Sequence, residues 1–222
     1  LCLVTQQPVF YAASSACLLI SWWNYFGKQN PEQFFENRTG LFNRRAFECL
    51  MRENASRRYS IVSLCIRNYL DIRELYGERQ MDRCLTHIGR WLHEVFPAQN
   101  TFYLRNGNFV VQSFAPFDQA EAAERIQARF AESWHVGDVD RFFDVSCALL
   151  DSSVRAASVH DIMNCLAMAH HRQDHTVLPD KRPVQVDGAY VDDLRKEVAV
   201  KRALEHAVET DSVCVFLQPI VD

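Results

Sequence analysis

The chain has 222 residues, 48% of them hydrophobic and 23% charged, a balance that supports a packed core and excludes a disordered chain. A net charge of −4 and a pI near 6.1 exclude the overall basic footprint of a nucleic-acid-binding domain. Eight cysteines are present (Cys2, Cys17, Cys49, Cys65, Cys84, Cys147, Cys165 and Cys214), none in a C-x-x-C pair and several inside apolar runs such as SLCI and VSCALL. That usage points to buried thiols in a reducing compartment, not to a disulfide or zinc framework.

Residues 1–27, LCLVTQQPVFYAASSACLLISWWNYFG, hold no charge, and Lys28 is the first. Val9 to Phe26 suffices to cross a bilayer core at about 1.5 Å per helical residue. Trp22, Trp23 and Tyr25 ahead of Lys28 fit an interfacial belt with a cytoplasmic positive flank. Ser14, Ser15 and Asn24 favour the other reading, a buried or dimer-forming helix of a soluble protein. A secretory signal peptide does not fit, because no charged region precedes the run. The expectation is a hydrophobic transmembrane or signalling helix over 1–28 in the inner membrane, with the rest cytoplasmic. The chain starts at Leu1, not Met, and stops inside an apolar run, and reads as part of a longer protein.

Beyond Lys28 the pattern alternates. NRRAFECLMREN (43–54) puts Ala46, Phe47, Leu50 and Met51 on one helical face. YSIVSLCI (59–66) is a short apolar run of β-formers and predicts a buried strand. NYLDIRELYG predicts a short helix stopping at Gly77, and 79–95 a second, with Leu85, Ile88, Leu92 and Val95 at helical spacing. TFYL and NFVVQSF form the arms of a hairpin whose tip, Asn106-Gly107-Asn108, tolerates the positive φ of a tight turn. A helix over 118–133, a strand over 141–150 and a helix over 159–172 follow. A polar stretch with Pro179 and Pro183 reads as a linker, 190–210 as a charged amphipathic helix, and VCVFLQPIVD as a new strand. These elements imply an α/β or α+β domain: a central, mostly antiparallel sheet flanked by helices.

Order and spacing resemble the GGDEF domain of diguanylate cyclases, which join two GTP molecules into cyclic di-GMP. RTGLFNRRAF (38–47) is similar to the family's opening L-T-G-L-x-N-R-R-A-F, with Arg38 for Leu. CIRNYLDIRELYGERQMD (65–82) is similar to D-I-D-x-F-K-x-I-N-D-x-x-G-H-x-x-G-D, matching at Ile66, Ile72, Gly77 and Asp82, with Tyr69 for Phe. FYLRNGNFVV is similar to Y-R-L-G-G-D-E-F-V-V, with Leu104 and Phe109 on their counterparts. The resemblance covers about 36–175 and implies the nucleotide-cyclase-like GGDEF fold over 29–178.

The resemblance also implies a degenerate site. The signature falls on Arg105, Asn106, Gly107, Asn108 and Phe109. Its metal positions fall on Cys65 and Gly107, a thiol and a residue without a side chain, where Mg²⁺ needs hard oxygen ligands. Its nucleotide-binding positions fall on Leu70, Arg73 and Asp82, of which Asp82 alone is retained. Arg105 stands where a glycine lets backbone approach the nucleotide, and the inhibitory R-x-x-D falls on Phe96-Pro97-Ala98-Gln99. No metal or other cofactor is expected; Mg²⁺ would belong only to an active site. Asp138, Asp140 and Asp144 read as solvated or capping carboxylates. His170, His171 and His175 read as helix-end residues suited to the macrodipole.

LRKEVAVKRALEHAVETDSVCVFLQPIVD (194–222) resembles the entry to an EAL domain, the family of cyclic di-GMP phosphodiesterases, through Ala203-Leu204 and Phe216–Asp222. The expected organisation is then a linker over 179–192 and the start of an EAL domain over 193–222. The implied function is an inactive GGDEF-like regulatory and dimerising module between a membrane sensor and an EAL output, with a homodimer and the EAL domain as partners and no nucleic acid. Two alternatives stay open: an active diguanylate cyclase, and a metal-free sensor binding GTP or cyclic di-GMP, in which Arg67, Arg73 and Arg105 make the old pocket basic. Against the sensor, these arginines are expected to face solvent or to pair with Glu74 and Glu78.

Overall fold

The computed structural model describes residues 31–137, 139–154, 158–174, 182–210 and 212. The expected N-terminal helix and the closing strand from Val213 lie outside these residues. Among the described residues no helix is long and apolar enough to cross a membrane.

In chain order the elements are β1 (Phe42–Asn43), α1 (Arg44–Glu53), β2 (Ser60–Ile66), α2 (Tyr69–Tyr76), α3 (Glu78–Val95), β3 (Asn100–Arg105), β4 (Asn108–Ser113), α4 (Gln119–Ala131), β5 (Trp134–Val136), β6 (Val139–Arg141), β7 (Val145–Asp151), α5 (Val159–Asp174), β8 (Val184–Val186) and α6 (Gly188–Glu209). Six strands form one sheet in the order β1-β3-β4-β2-β7-β8; β5 and β6 form a separate hairpin. The four central strands pair antiparallel, while edge strands β1 and β8 run parallel to their neighbours.

Strand alternation divides the core in two. Val62, Leu64 and Ile66 of β2 join Leu85, Ile88 and Leu92 of α3 and Ile126 of α4. The opposite face carries Ile61, Phe102, Val110 and Leu150, which pack on Phe47 of α1 and Leu166 of α5. Both faces are covered, which is why β2 reads as a continuous apolar run and not as an alternating one.

Local chemistry sets the boundaries. Asn43 caps α1 by accepting from Ala46 N–H at 3.0 Å, and its amide donates to the Gln33 and Phe35 carbonyls, tying the preceding turn to the helix. Asp118 and Asp187 cap α4 and α6 in the same way. Gly77, at φ +82°, ends α2 and starts α3 without an intervening loop.

Three expectations are corrected. The strand expected over 141–150 begins at Val145, because Val139–Arg141 turns back on Trp134–Val136 as β6. Within the expected linker, Val184–Val186 pairs with Ala148–Leu150 as β8 and buries Val186 completely. Three residues are too few to show alternation in sequence. The last helix starts at Gly188, two residues before the expected start.

The chain ahead of β1 is strapped to α3. Arg38 reaches Asp82 at 3.1 Å and Glu78 at 3.5 Å, and the Thr86 hydroxyl donates to the Arg38 carbonyl. The strap crosses at Gly89, where an added Cβ would stand 3.1 Å from the Thr39 carbonyl oxygen and 3.3 Å from Leu41 Cγ. Gly89→Val is therefore expected to lower stability by about 1–3 kcal/mol through overpacking, read as a reduced urea midpoint.

Candidate functional site

The hairpin tip is a two-residue turn. Arg105 pairs with Asn108, and Asn106 and Gly107 take φ of +48° and +78°. Positive φ at both central positions is a type I′ turn, whose twist matches that of the strands it joins. The tip is fastened to the end of β2: Ile66 N–H donates to the Gly107 carbonyl at 3.1 Å, and Gly107 N–H donates to Tyr103 Oη at 3.3 Å. Asn108 stands opposite Cys65 in the ladder and donates through its amide to the Arg105 carbonyl.

Fold and sequence thus bring Cys65 and Gly107 to one place. Gly107 is buried, and a Cβ there would lie 3.0 Å from Ile66 Cβ and 3.1 Å from Tyr69 Cδ2. Tyr69, 5% exposed, fills the space beside the turn. Tyr103, also buried, packs at a tilt against Phe109 with centroids 4.9 Å apart; burial raises its phenol well above the usual range, so it stays a neutral hydrogen-bond acceptor for the Gly107 N–H. A partly buried thiol and a side-chain-free turn do not fit Mg²⁺ as ligands. Among the described residues no group of three or more His, Cys, Asp and Glu side chains could hold a metal ion.

The remaining sequence-derived positions do not converge. Leu70 is 52% exposed. Arg73 lies over the Tyr69 ring, 5.7 Å from its centroid. Asp82 is engaged by Arg38, a residue the sequence reading did not connect with it. Arg67 pairs with Asp144 at 3.3 Å, and Asn68 bonds to the Phe142 carbonyl and the Asp144 N–H. Of the expectation that arginines around the tip face solvent or pair with Glu74 and Glu78, Arg105 is exposed, while Glu78 is engaged by Arg38 and Arg67 turns to Asp144, because the segment before β7 crosses the end of β2. Asp140 pairs with His135. Asp138 and His175 lie outside the described residues.

His170 is a correction with a chemical consequence. It is not a solvated helix-end cation. It is 5% exposed, with Nε2 2.9 Å from Ser63 Oγ and Nδ1 2.8 Å from Ser146 Oγ. The two serines come from β2 and β7, so no local pattern announces the cluster. Ser63 and His170 floor a cavity of about 160 Å³ whose rim includes Arg44, Arg105 and Asn108. Arg105 is exposed at this rim, and Arg44 pairs with Glu48 at 2.7 Å.

No family model matches the sequence, and no curated protein matches it significantly. Solved structures do match. The GGDEF domain of PA1120 (TpbB or YfiN) from Pseudomonas aeruginosa aligns over 72% of this chain and 99% of its own, with a TM-score of 0.60 and 15% identity. The GGDEF domain of FimX from the same organism aligns over 69% and 99%, with a TM-score of 0.56 and 16% identity. That of DgcB from Caulobacter crescentus, solved in complex with c-di-GMP, aligns over 69% and 93%, with a TM-score of 0.56 and 16% identity. The chain has the fold of the GGDEF diguanylate cyclase domains.

Two outcomes follow from this geometry. Burial lowers the His170 pKa from 6.5 to about 4. The unfolded chain takes up a proton there below pH 6.5 and the folded chain only near pH 4. The neutral imidazole therefore favours the fold fully above that window, and its contribution is lost as pH falls through it. The stability advantage of wild type over His170→Gln should shrink by on the order of 3 kcal/mol across that window, in paired urea titrations. At the tip, Cys65→Asp combined with Gly107→Glu should be less stable than Cys65→Asp alone by about 1–3 kcal/mol, since residue 107 needs positive φ and has no room for a Cβ. Differential scanning calorimetry of the two variants reads this.

Proposed function

We propose that this domain is a GGDEF-fold module without cyclase activity, acting as a regulatory and dimerising element in a bacterial cyclic di-GMP signalling protein. The observation that carries the reading is the closed tip. Phosphoryl transfer between nucleotides depends on charge neutralisation and on placement of the triphosphate. Here the turn facing the end of β2 presents no carboxylate, Gly107 is packed under Ile66 and Tyr69, and Cys65 supplies a soft thiol. Asp82, the one retained base-reading position, is held by Arg38.

The organisation proposed around this domain has three parts. The uncharged run 1–27 anchors the protein in the inner membrane and leaves the GGDEF-fold domain in the cytoplasm. Residues 193–222 begin an EAL domain, and the domain described here relays a signal from one to the other, as a homodimer. SiaD of Pseudomonas aeruginosa, a diguanylate cyclase of this fold, was solved with its activator SiaC, which supports a signalling role steered by partners.

A second reading has its own observation. The rim of the His170 cavity carries Arg44 and Arg105 with no carboxylate among its lining residues. Guanidinium groups bind phosphate without metal, so this rim favours a metal-free sensor of GTP or cyclic di-GMP over an active enzyme.

Incubation of the chain with GTP and either Mg²⁺ or Mn²⁺ should yield no cyclic di-GMP above a no-enzyme control by liquid chromatography. Product formation overturns the inactive reading. Calorimetric binding of GTP or cyclic di-GMP that is lost in Arg105→Ala supports the sensor.

A further inference from the structure

The outer surface of α3 carries charge that the fold does not use. Arg79, Arg83 and Arg90 are exposed, and none has an ion pair among the described residues. At about 100° per residue the three fall within an arc of about 40°, along about 16 Å of helix. His87 and His93 flank the arc and are exposed as well. The acidic residues nearest to it are mostly occupied, since Glu78 and Asp82 both engage Arg38, and Glu94 is the one exposed carboxylate at its far end. Three unmatched guanidinium groups in line are unusual on a chain of net charge −4.

The stripe also has a position. Residues 36–41 lie along the same helix, held by Arg38 and by the Thr86 bond. A groove of about 420 Å³ between them is lined by Asn37, Arg38, Gly40, Arg90 and His93. The 3-10 turn Pro31–Phe34 and Phe35, which bridges to Phe42, lead into this strap, so three residues, 28–30, separate them from the uncharged run 1–27. A link of three residues reaches at most about 11 Å. If the run lies in a bilayer, α3 lies within reach of the headgroups.

We infer that the Arg79–Arg83–Arg90 face of α3 docks on the anionic headgroups of the membrane, with lipid phosphates taken by the arginines and by the groove beside Arg90. The choice of a lipid surface over an acidic protein rests on the membrane-anchored reading above. Arginine forks suit phosphate oxygens, and a row of guanidinium groups on one helix face matches a plane of phosphates. Each arginine near such a surface favours it about fivefold, and three together on the order of a hundredfold. The contact holds the domain against the bilayer and sets which face is left open to partners.

The test uses the full 222-residue chain with vesicles of phosphatidylcholine alone, or of phosphatidylcholine mixed with phosphatidylglycerol. Sedimentation with the neutral vesicles reads anchoring by the N-terminal run. Modification of individual arginines by phenylglyoxal, followed by mass spectrometry, reads the stripe. The expected result is that phosphatidylglycerol slows modification of Arg79, Arg83 and Arg90 by about fivefold or more, while Arg58, elsewhere on the surface, is unaffected. High salt should remove the difference, as screening requires. In the Arg79→Gln, Arg83→Gln, Arg90→Gln variant, any added affinity for the anionic vesicles should be gone. Equal modification rates on the two vesicle types overturn the docking proposal, whether or not the chain sediments with neutral vesicles. A chain that ignores neutral vesicles but shows shielding on anionic ones supports the docking and overturns the anchor.

Discussion

The structure depends on β2. It is hydrogen-bonded along both edges, to β4 and β7, and buried on both faces. A strand so enclosed has no unpaired backbone edge, and its side chains must satisfy two different cores. Val62, Leu64 and Ile66 serve one core; Ile61 and Ser63 serve the other. The strand runs out at Cys65 and Ile66. There the hairpin tip closes over its end through the Gly107 carbonyl.

That closure makes the residues at the tip a set. A glycine at 107 permits the approach of Tyr69 and Ile66, and Tyr103 then takes the Gly107 N–H. Positive φ at Asn106 and Gly107 keeps the turn tight. A carboxylate side chain at 107 would disturb each neighbour, because its Cβ would meet Ile66 and Tyr69. On α3, Asp82 has Arg38 as its partner across 44 residues of sequence.

The His170 cluster and the Arg38 strap join elements distant in sequence. Ser63 and His170 are separated by 107 residues, and Arg38 and Asp82 by 44. The first joins β2 and β7 to α5, and the second joins the segment ahead of β1 to α3. Helix α5 leads by way of β8 to α6, where Arg172 pairs with Glu197, and the strap leads toward the N-terminal run.

The sequence by itself determined the long helices, the central strands β2, β3 and β4, the hairpin with its Asn-Gly turn, and the class of fold. Those features depend on side-chain periodicity and on backbone preferences, both local properties of the chain. The sequence also placed Cys65 and Gly107 together, because strand order follows from the fold the pattern resembles. Only the tertiary structure decided that Val184–Val186 is a strand, since three residues carry no period and become a strand by pairing with β7. It alone decided that His170 is neutral and buried, that Arg67 turns to Asp144, and that Arg38 holds Asp82. Partners of charged and polar side chains are set by long-range packing, and residue spacing along the chain holds no record of them.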